Sequence, residues 1–275
     1  MKIEFQNVGF SYQKNSKKVL DDINLNLDKN EIVFVMGKTG SGKSTLISHI
    51  NGLLFASEGN VLVYDESGKY YLNKNLKNIN RIRKSIGMVF QNPENQLFES
   101  SVLSDVMFGP LNFKMSEEDA KEASLEALKE MGVDPSYFQR SPFDLSGGEK
   151  RKVAIAGILS YKPSVFVFDE PTSNLDYKST IAFFEMARKL TKEGKVIIVS
   201  HNQNLAYEYA DRVILIDEGK IIKDATYKEV FSDKELLERV SIETPFVERI
   251  KERLGISEDV RNIKELSSYL RGDTL

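Results

Sequence analysis

The stretch Gly37-Lys38-Thr39-Gly40-Ser41-Gly42-Lys43-Ser44-Thr45 constrains this chain more than any other. A short apolar run, Ile32-Val33-Phe34-Val35-Met36, precedes it, and Leu46-Ile47-Ser48-His49-Ile50 continues as a helix. Strand, glycine-rich loop and helix, in that order, give the pattern G-x-x-x-x-G-K-[ST] its physical meaning as a phosphate cradle. Glycines let successive N–H groups turn inward into a nest, and the helix N-terminus adds partial positive charge. The spacing predicts that Lys43 reaches the β- and γ-phosphates of a nucleotide and that Ser44 lends an oxygen to Mg²⁺. A flexible loop before an ordinary helix is the competing reading, and it leaves strand, lysine and serine unexplained together.

The chain has 275 residues, enough for one large domain or a domain with an appendage, and for a sizeable core. Its 38 basic and 41 acidic residues nearly cancel to a net charge of -3, which argues against a generally basic nucleic-acid binder. Cysteine is absent, which excludes disulfides and thiolate metal sites and fits a cytoplasmic protein. Met1-Lys2-Ile3-Glu4-Phe5 opens without the apolar region of a signal peptide. No uninterrupted apolar run approaches the ~20 residues of a membrane span, so any membrane role runs through a partner.

Ile3, Phe5, Val8 and Phe10, then Ile23, Leu25 and Leu27, alternate with polar residues and predict antiparallel strands. Asn60 to Leu72 reads as a hairpin with Asp65-Glu66-Ser67-Gly68 at its tip. Five apolar runs do not alternate: Val33–Met36, Ile86–Phe90, Val165–Phe168, Val196–Val199 and Val213–Ile216. Such runs suit strands buried on both faces of a parallel sheet, and the helical stretches between them predict an α/β fold. The long interval from Lys43 to Asp169 predicts an inserted helical subdomain over roughly residues 92–145. Within it, the helix Ser101–Phe108 is expected to stop at Gly109-Pro110. Ser116 reads as the N-cap of a second helix, with Ala120, Ala123, Ala127, Leu128 and Met131 on one face and Gly132 past its end. After Glu218-Gly219-Lys220 and Ile221-Ile222 the character changes. Phe246, Val247, Ile250 and Leu254 form a helix stripe with Pro245 at N1 and Gly255 beyond it. Asn262-Ile263-Lys264-Glu265 has the form of a capping box leading into Leu266, Tyr269 and Leu270. The expected division is residues 1–225 and a C-terminal helical appendage, 226–275.

Two further stretches carry chemistry. Val165-Phe166-Val167-Phe168-Asp169-Glu170 is an apolar strand ending in two carboxylates. Parallel strands deliver ligand-binding groups at their carboxyl ends, so Asp169 is expected near Mg²⁺ and Glu170 near the γ-phosphate as general base. In Leu145-Ser146-Gly147-Gly148-Glu149, Ser146 and Glu149 satisfy a capping box, and the helix continues through Val153, Ala154, Ile158 and Leu159. Two glycines in a first turn weaken a helix but expose backbone N–H groups to an anion. One nucleotide does not need two such loops from one chain, so a second copy would supply this one to the first copy's phosphate.

Gly37–Thr45, Gln91, Leu145–Glu149, Val165–Glu170, Ser173-Asn174-Leu175-Asp176 and His201, in this order, resemble the ATP-binding-cassette (ABC) ATPase family over at least residues 1–224. The resemblance implies a P-loop NTPase with a mixed sheet core and an antiparallel β subdomain, binding ATP and Mg²⁺. It implies that Gln91 links γ-phosphate, Mg²⁺ and a transmembrane partner, with Ser44 and Asp169 on the same metal. Ser146, Gly147 and Gly148 would contact ATP on the opposite subunit, and Asp176 would end a loop across the dimer interface. His201 would contact the γ-phosphate and position the attacking water. Tyr12 falls where an aromatic stacks on adenine; a core aromatic is the alternative. Glu149 departs from the glutamine of many members. Lys150-Arg151-Lys152 reads as a solvated helix face, and His49 as structural.

Gln91-Asn92-Pro93-Glu94-Asn95-Gln96-Leu97-Phe98 and Phe108-Gly109-Pro110-Leu111-Asn112 are similar to the ATPases of energy-coupling-factor (ECF) transporters and their cobalt/nickel relatives. That similarity implies an importer of vitamins or transition metals. Two ATPases, identical or homologous, would work with a transmembrane scaffold and a membrane-embedded substrate-binding protein at the cytoplasmic face of the membrane. Leu97 and Phe98 would help line a groove for the scaffold, with the helical-subdomain core as the alternative. Three other functions compete: the ATPase of a metal or amino-acid importer, a nucleotide-dependent clamp that hardly hydrolyses, and an ABC ATPase acting on DNA. The last requires a coiled-coil arm or a strongly basic surface, and the chain shows neither.

Overall fold

A computed structural model describes residues 1–14, 16–66, 68–72, 79–173 and 175–272. The chain opens with β1 (Lys2–Phe10), β2 (Leu20–Leu27), β3 (Ile32–Met36), α1 (Lys43–Ile50), β4 (Glu58–Asp65) and β5 (Gly68–Tyr71). Four of these strands form an antiparallel sheet in the order β2-β1-β4-β5. Ile3 faces Leu27, Phe5 faces Leu25 and Val8 faces Ile23, so the alternation puts one apolar face inward. The hairpin β4–β5 forms with Val63 opposite Tyr70 and Asp65 opposite Gly68. Ser67, at its tip, lies outside the described residues.

Next come α2 (Ile79–Ser85), β6 (Ile86–Val89), α3 (Val102–Asn112), α4 (Glu117–Glu130), α5 (Gly147–Leu159) and β7 (Val165–Asp169). They are followed by α6 (Tyr177–Leu190), β8 (Lys195–Val199), α7 (Gln203–Tyr209), β9 (Arg212–Asp217) and β10 (Lys220–Thr226). The last helices are α8 (Tyr227–Phe231), α9 (Lys234–Arg239), α10 (Phe246–Leu254) and α11 (Ile263–Arg271). The second sheet has the order β10-β9-β3-β8-β7-β6. β9, β3, β8, β7 and β6 run parallel, and β10 returns antiparallel.

The middle of each parallel strand is apolar because it separates two cores. Val33 and Val35 face α1 and the antiparallel sheet, as do Val165, Val167, Ile197 and Val199. Their neighbours Phe34, Phe166, Phe168, Val196 and Ile198 face the helices. Burial on both faces removes the polar half of the strand pattern. Phe90 is the exception: it lies past the end of β6 and is exposed. The C-terminal helices share the second core through Val230, Phe231, Leu237, Val247, Val260 and Leu266. No helix among the described residues is long and apolar enough to cross a membrane.

Three local expectations need revision. α3 does not stop at Gly109-Pro110 but runs on to Asn112. Proline removes the donor that would bond Val106 O, and the Ser160 hydroxyl donates to that carbonyl instead, at 3.2 Å. Pro245 is the N-cap of α10, with extended backbone, rather than N1. In the Asn262–Glu265 motif, Asn262 Oδ1 accepts from Glu265 N at 3.0 Å, but the Glu265 carboxylate accepts from Arg261 N at 2.8 Å rather than from the cap's own N–H. Ser116 caps α4 as expected, accepting from Asp119 N at 3.1 Å. α2 was not foreseen.

Candidate active site

β3, β8 and β7 lie side by side, so their carboxyl ends bring three loops together. From β3 comes the glycine loop. Gly37 has φ 149°, and a Cβ there would sit 2.0 Å from Ile216 O, so no other residue fits. Gly42, with φ 108°, is the N-cap of α1 and makes no side-chain cap. The loop exposes Lys38, Thr39 and Gly40 to solvent, while Ser41 is buried with its Oγ unpartnered among the described residues. Lys43 Nζ folds back to donate to Gly37 O and Lys38 O, both at 2.8 Å. Burial pushes its ammonium pKa down, while Glu170 and Asp169 pull it up. A cation held by two carbonyls, in an exposed glycine loop leading into a helix N-terminus, is a fit for phosphate oxygens.

From β7 come Asp169 and Glu170. Burial pushes the Asp169 pKa up; a hydrogen bond with Ser44 opposes this, the charge of Glu170 adds to it, and Lys43 opposes it. Ser44 and Asp169 therefore stand together beside Lys43. They are oxygen donors of the hard kind that Mg²⁺ takes alongside phosphate oxygens and water. Among the described residues no group of three or more His, Cys, Asp or Glu side chains could hold a metal. The pair thus fits Mg²⁺ only together with phosphate oxygens.

Glu170 adopts φ 49°, which turns its carboxylate out of the strand line. From the end of β8, His201 donates to Glu170 Oε1 twice, through its backbone N–H at 3.1 Å and through Nδ1 at 2.7 Å. A carboxylate only accepts, so the proton sits on Nδ1 and Nε2 faces outward. The imidazole is 77% exposed and the Glu170 side chain only 13%. Ser200 Oγ approaches the other carboxylate oxygen at 3.5 Å. Two groups suited to holding and moving a proton thus meet at one open edge.

Gln91 is exposed, two residues past β6. Tyr12 is 64% exposed, which rules out a core role. Its hydroxyl shares a hydrogen bond with Thr45 Oγ1 at 3.0 Å, and its ring stands edge-on to Phe10. His49 is fully buried, with Nδ1 2.7 Å from Thr45 O, as a structural residue should be.

The Ser146 loop forms the full capping box with Glu149. Ser146 N and Oγ both donate to Glu149 Oε2, at 2.8 and 2.7 Å. A Cβ on Gly147 or Gly148 would meet nothing within 4 Å. The chain's own packing therefore does not require glycine there. Asp176 caps α6, accepting from Ser179 N at 2.8 Å, and that bond holds its carboxyl below the usual range. Asn174 lies outside the described residues.

Two readings change. Arg151 is not part of a solvated face: its Nη1 donates to Pro171 O at 3.2 Å and to Ser173 O at 2.5 Å. It ties α5 to the loop after Glu170, a contact twenty residues away along the chain that no local pattern announces. Leu97 is 6% exposed and belongs to the core, whereas its neighbour Phe98 is 56% exposed and stands edge-on to Phe108. Phe98 and Phe108 together present an exposed apolar pair, and Phe90 and Leu111 are exposed as well.

Residues 20–173 match the family model described as ABC transporter. The energy-coupling factor transporter ATP-binding protein EcfA2 of Lactobacillus johnsonii is 42% identical over 258 residues, covering 92% of this chain and 89% of the relative. The protein of the same name from Bacillus cereus is 41% identical over 268 residues, covering 94% and 90%. Among solved structures, cbiO1 from Clostridium perfringens is described as part of the ABC transporter complex cbiONQ. It aligns with a TM-score of 0.74 at 33% identity, covering 91% of this chain and 98% of that one. A dimeric ATP-binding cassette in a post-hydrolysis state, bound to ADP and Pi, aligns with a TM-score of 0.73 at 29% identity, covering 82% and 98%. At such identity and coverage the chain belongs to the ABC transporter ATPases, among the energy-coupling factor ATP-binding proteins.

Proposed function

We propose that this ATPase is the motor subunit of an ECF-type importer, peripheral at the cytoplasmic face of the membrane. It works as one of two ATPase subunits, identical or homologous, on a transmembrane scaffold that also carries a membrane-embedded substrate-binding protein. Residues 1–225 are its ATPase domain, with a helical subdomain over about 92–145, and 226–275 its appendage. The glycine loop Gly37–Thr45 cradles the triphosphate, with Lys43 turned from its own loop carbonyls to the phosphates. Tyr12 stacks on adenine. Ser44, Asp169 and Gln91 hold Mg²⁺, which when bound neutralises charge on the phosphate oxygens. Ser146, Gly147, Gly148 and Asp176 act on the nucleotide of the partner subunit; the open space over both glycines supports this.

The observation that carries the reading is the Glu170–His201 pair beside Lys43. Glu170 accepts the proton of the attacking water, and His201, its proton held on Nδ1, presents Nε2 to position that water against the γ-phosphate. Differential affinity for ATP between separated and closed subunits drives the scaffold.

Glu170→Gln tests this. Removing the general base slows hydrolysis about 10²-fold or more and leaves nucleotide binding intact. The variant therefore elutes as a dimer with ATP and Mg²⁺ and as a monomer with ADP. Elution as monomer only, with ATP demonstrably bound, refutes the shared site. A dimer that forms in wild type without turnover identifies a clamp instead.

A further inference from the structure

The C-terminal segment grips the helix that follows His201. α7 has seven residues, too short to hold its place alone, and its buried residues are Ala206 and Tyr207. The grip falls along its whole length. Phe246 N donates to Asn204 Oδ1 at 2.7 Å. Tyr207, 3% exposed, donates its hydroxyl to Glu248 Oε2 at 2.5 Å. Lys251, 9% exposed, donates to the same hydroxyl at 3.1 Å and to Glu248 at 3.3 Å. Arg261 Nε donates to Tyr207 O at 3.0 Å, and its Nη2 to Ala210 O at 2.5 Å. At the other end Asn202 caps α7, accepting from Asn204 N and Leu205 N, and its own N–H donates to Ser200 Oγ. His201 is held between Ser200 and Asn202.

A second contact is independent of the first. The turn between α9 and α10, at Ser241–Glu243, borders a cavity of about 420 Å³ together with Gly37, Lys38, Thr39 and His201. The appendage therefore meets the site from two directions. A merely adhesive contact would be apolar. A buried tyrosine and lysine with a half-buried glutamate instead favour one arrangement, because the Tyr207 hydroxyl loses both Glu248 and Lys251 if α10 slips along α7.

We propose that Tyr207 is a positioning residue for His201. The C-terminal segment clamps Tyr207 through Glu248 and Lys251, and the clamped α7 holds the imidazole against Glu170. This rests on the role given above to His201.

The chain has only two histidines, and His49 is fully buried. Imidazole NMR of the full-length protein therefore reads His201 separately. In Tyr207→Phe and in Lys251→Met, the His201 signals shift and the Nδ1–H tautomer loses population, while the His49 signals stay in place. Turnover falls about tenfold with KM for ATP unchanged, as a displaced catalytic group predicts. Tyr207→Phe has no further effect in a His201→Ala background. Wild-type His201 signals in both folded variants overturn the proposal, as does an equal slowing by Tyr207→Phe with and without His201. Should one variant fail to fold, the other carries the test. Wild-type turnover by His201→Ala would instead sink the role of His201, and the NMR arm still decides what Tyr207 positions.

Discussion

Pro110 lies inside α3, and what compensates for it can be measured. The carbonyl of Val106 is buried, and proline offers it no N–H. Ser160, the C-cap of α5 and 1% exposed, donates to it at 3.2 Å while also lying 2.9 Å from Gly157 O. Ser160→Ala leaves a buried carbonyl without a donor, a loss of about 1–3 kcal/mol. One hydroxyl hydrogen is shared between two acceptors, so the lower half of that range, ~1–2 kcal/mol, is expected. In a chain of this size that lowers Tm by roughly 3–6 °C. Pro110→Ala changes the outcome, because the new N–H reaches Val106 O in the ordinary helical way. Ser160→Ala should then cost only about 0.5 kcal/mol, a coupling of ~1 kcal/mol between the two positions. Thermal and urea unfolding of the wild type, both single variants and the double variant close the cycle. Equal costs of Ser160→Ala in both backgrounds would refute the compensation. The bond also pins α5, with Ser146 at its N-cap, to α3, which carries Phe108.

Burial raises the Asp169 pKa, so the folded state tolerates the ionised carboxylate less well than the unfolded chain does. Its contribution favours folding below the unfolded value of about 4 and is lost as pH rises through the folded value. Asp169→Asn should therefore raise the Tm of the nucleotide-free protein at pH 7. That gain shrinks as pH falls toward 4 and comes with loss of the stabilisation by Mg²⁺–ATP; both are read by differential scanning fluorimetry. Tyr12→Phe keeps the ring and loses only the bond to Thr45, so KM for ATP should change less than about twofold, whereas Tyr12→Ala should raise it about tenfold. Steady-state kinetics separates the two. Phe98→Glu should abolish co-purification with the membrane scaffold at normal Tm, whereas Leu97→Glu buries a charge and should give little folded protein. Soluble yield and pull-down from the native membrane distinguish them.

Reading along the chain recovers whatever is settled by neighbours in sequence. The glycine loop, the capping box of Ser146 and Glu149, the cap at Ser116 and the Asp169-Glu170 strand end all depend on residues within a few positions. Consecutive residues also disclose the five buried strands, because burial on both faces leaves no polar alternation. Neither the fate of Pro110 nor the work of Arg151 is visible that way. Their partners lie fifty and twenty residues off, and only packing selects them. The split between Leu97 and Phe98 has the same origin, for two adjacent apolar residues can face opposite ways and composition does not say which.

Local backbone chemistry thus wrote the phosphate cradle and its two carboxylates into the sequence itself. Which groups meet across the fold, from Glu170 against His201 to Tyr207 against Lys251, was decided when the sheet aligned its strand ends and the C-terminal helices closed on α7. A buried donor or acceptor takes the partner that packing brings within reach, and that choice belongs to the three-dimensional structure.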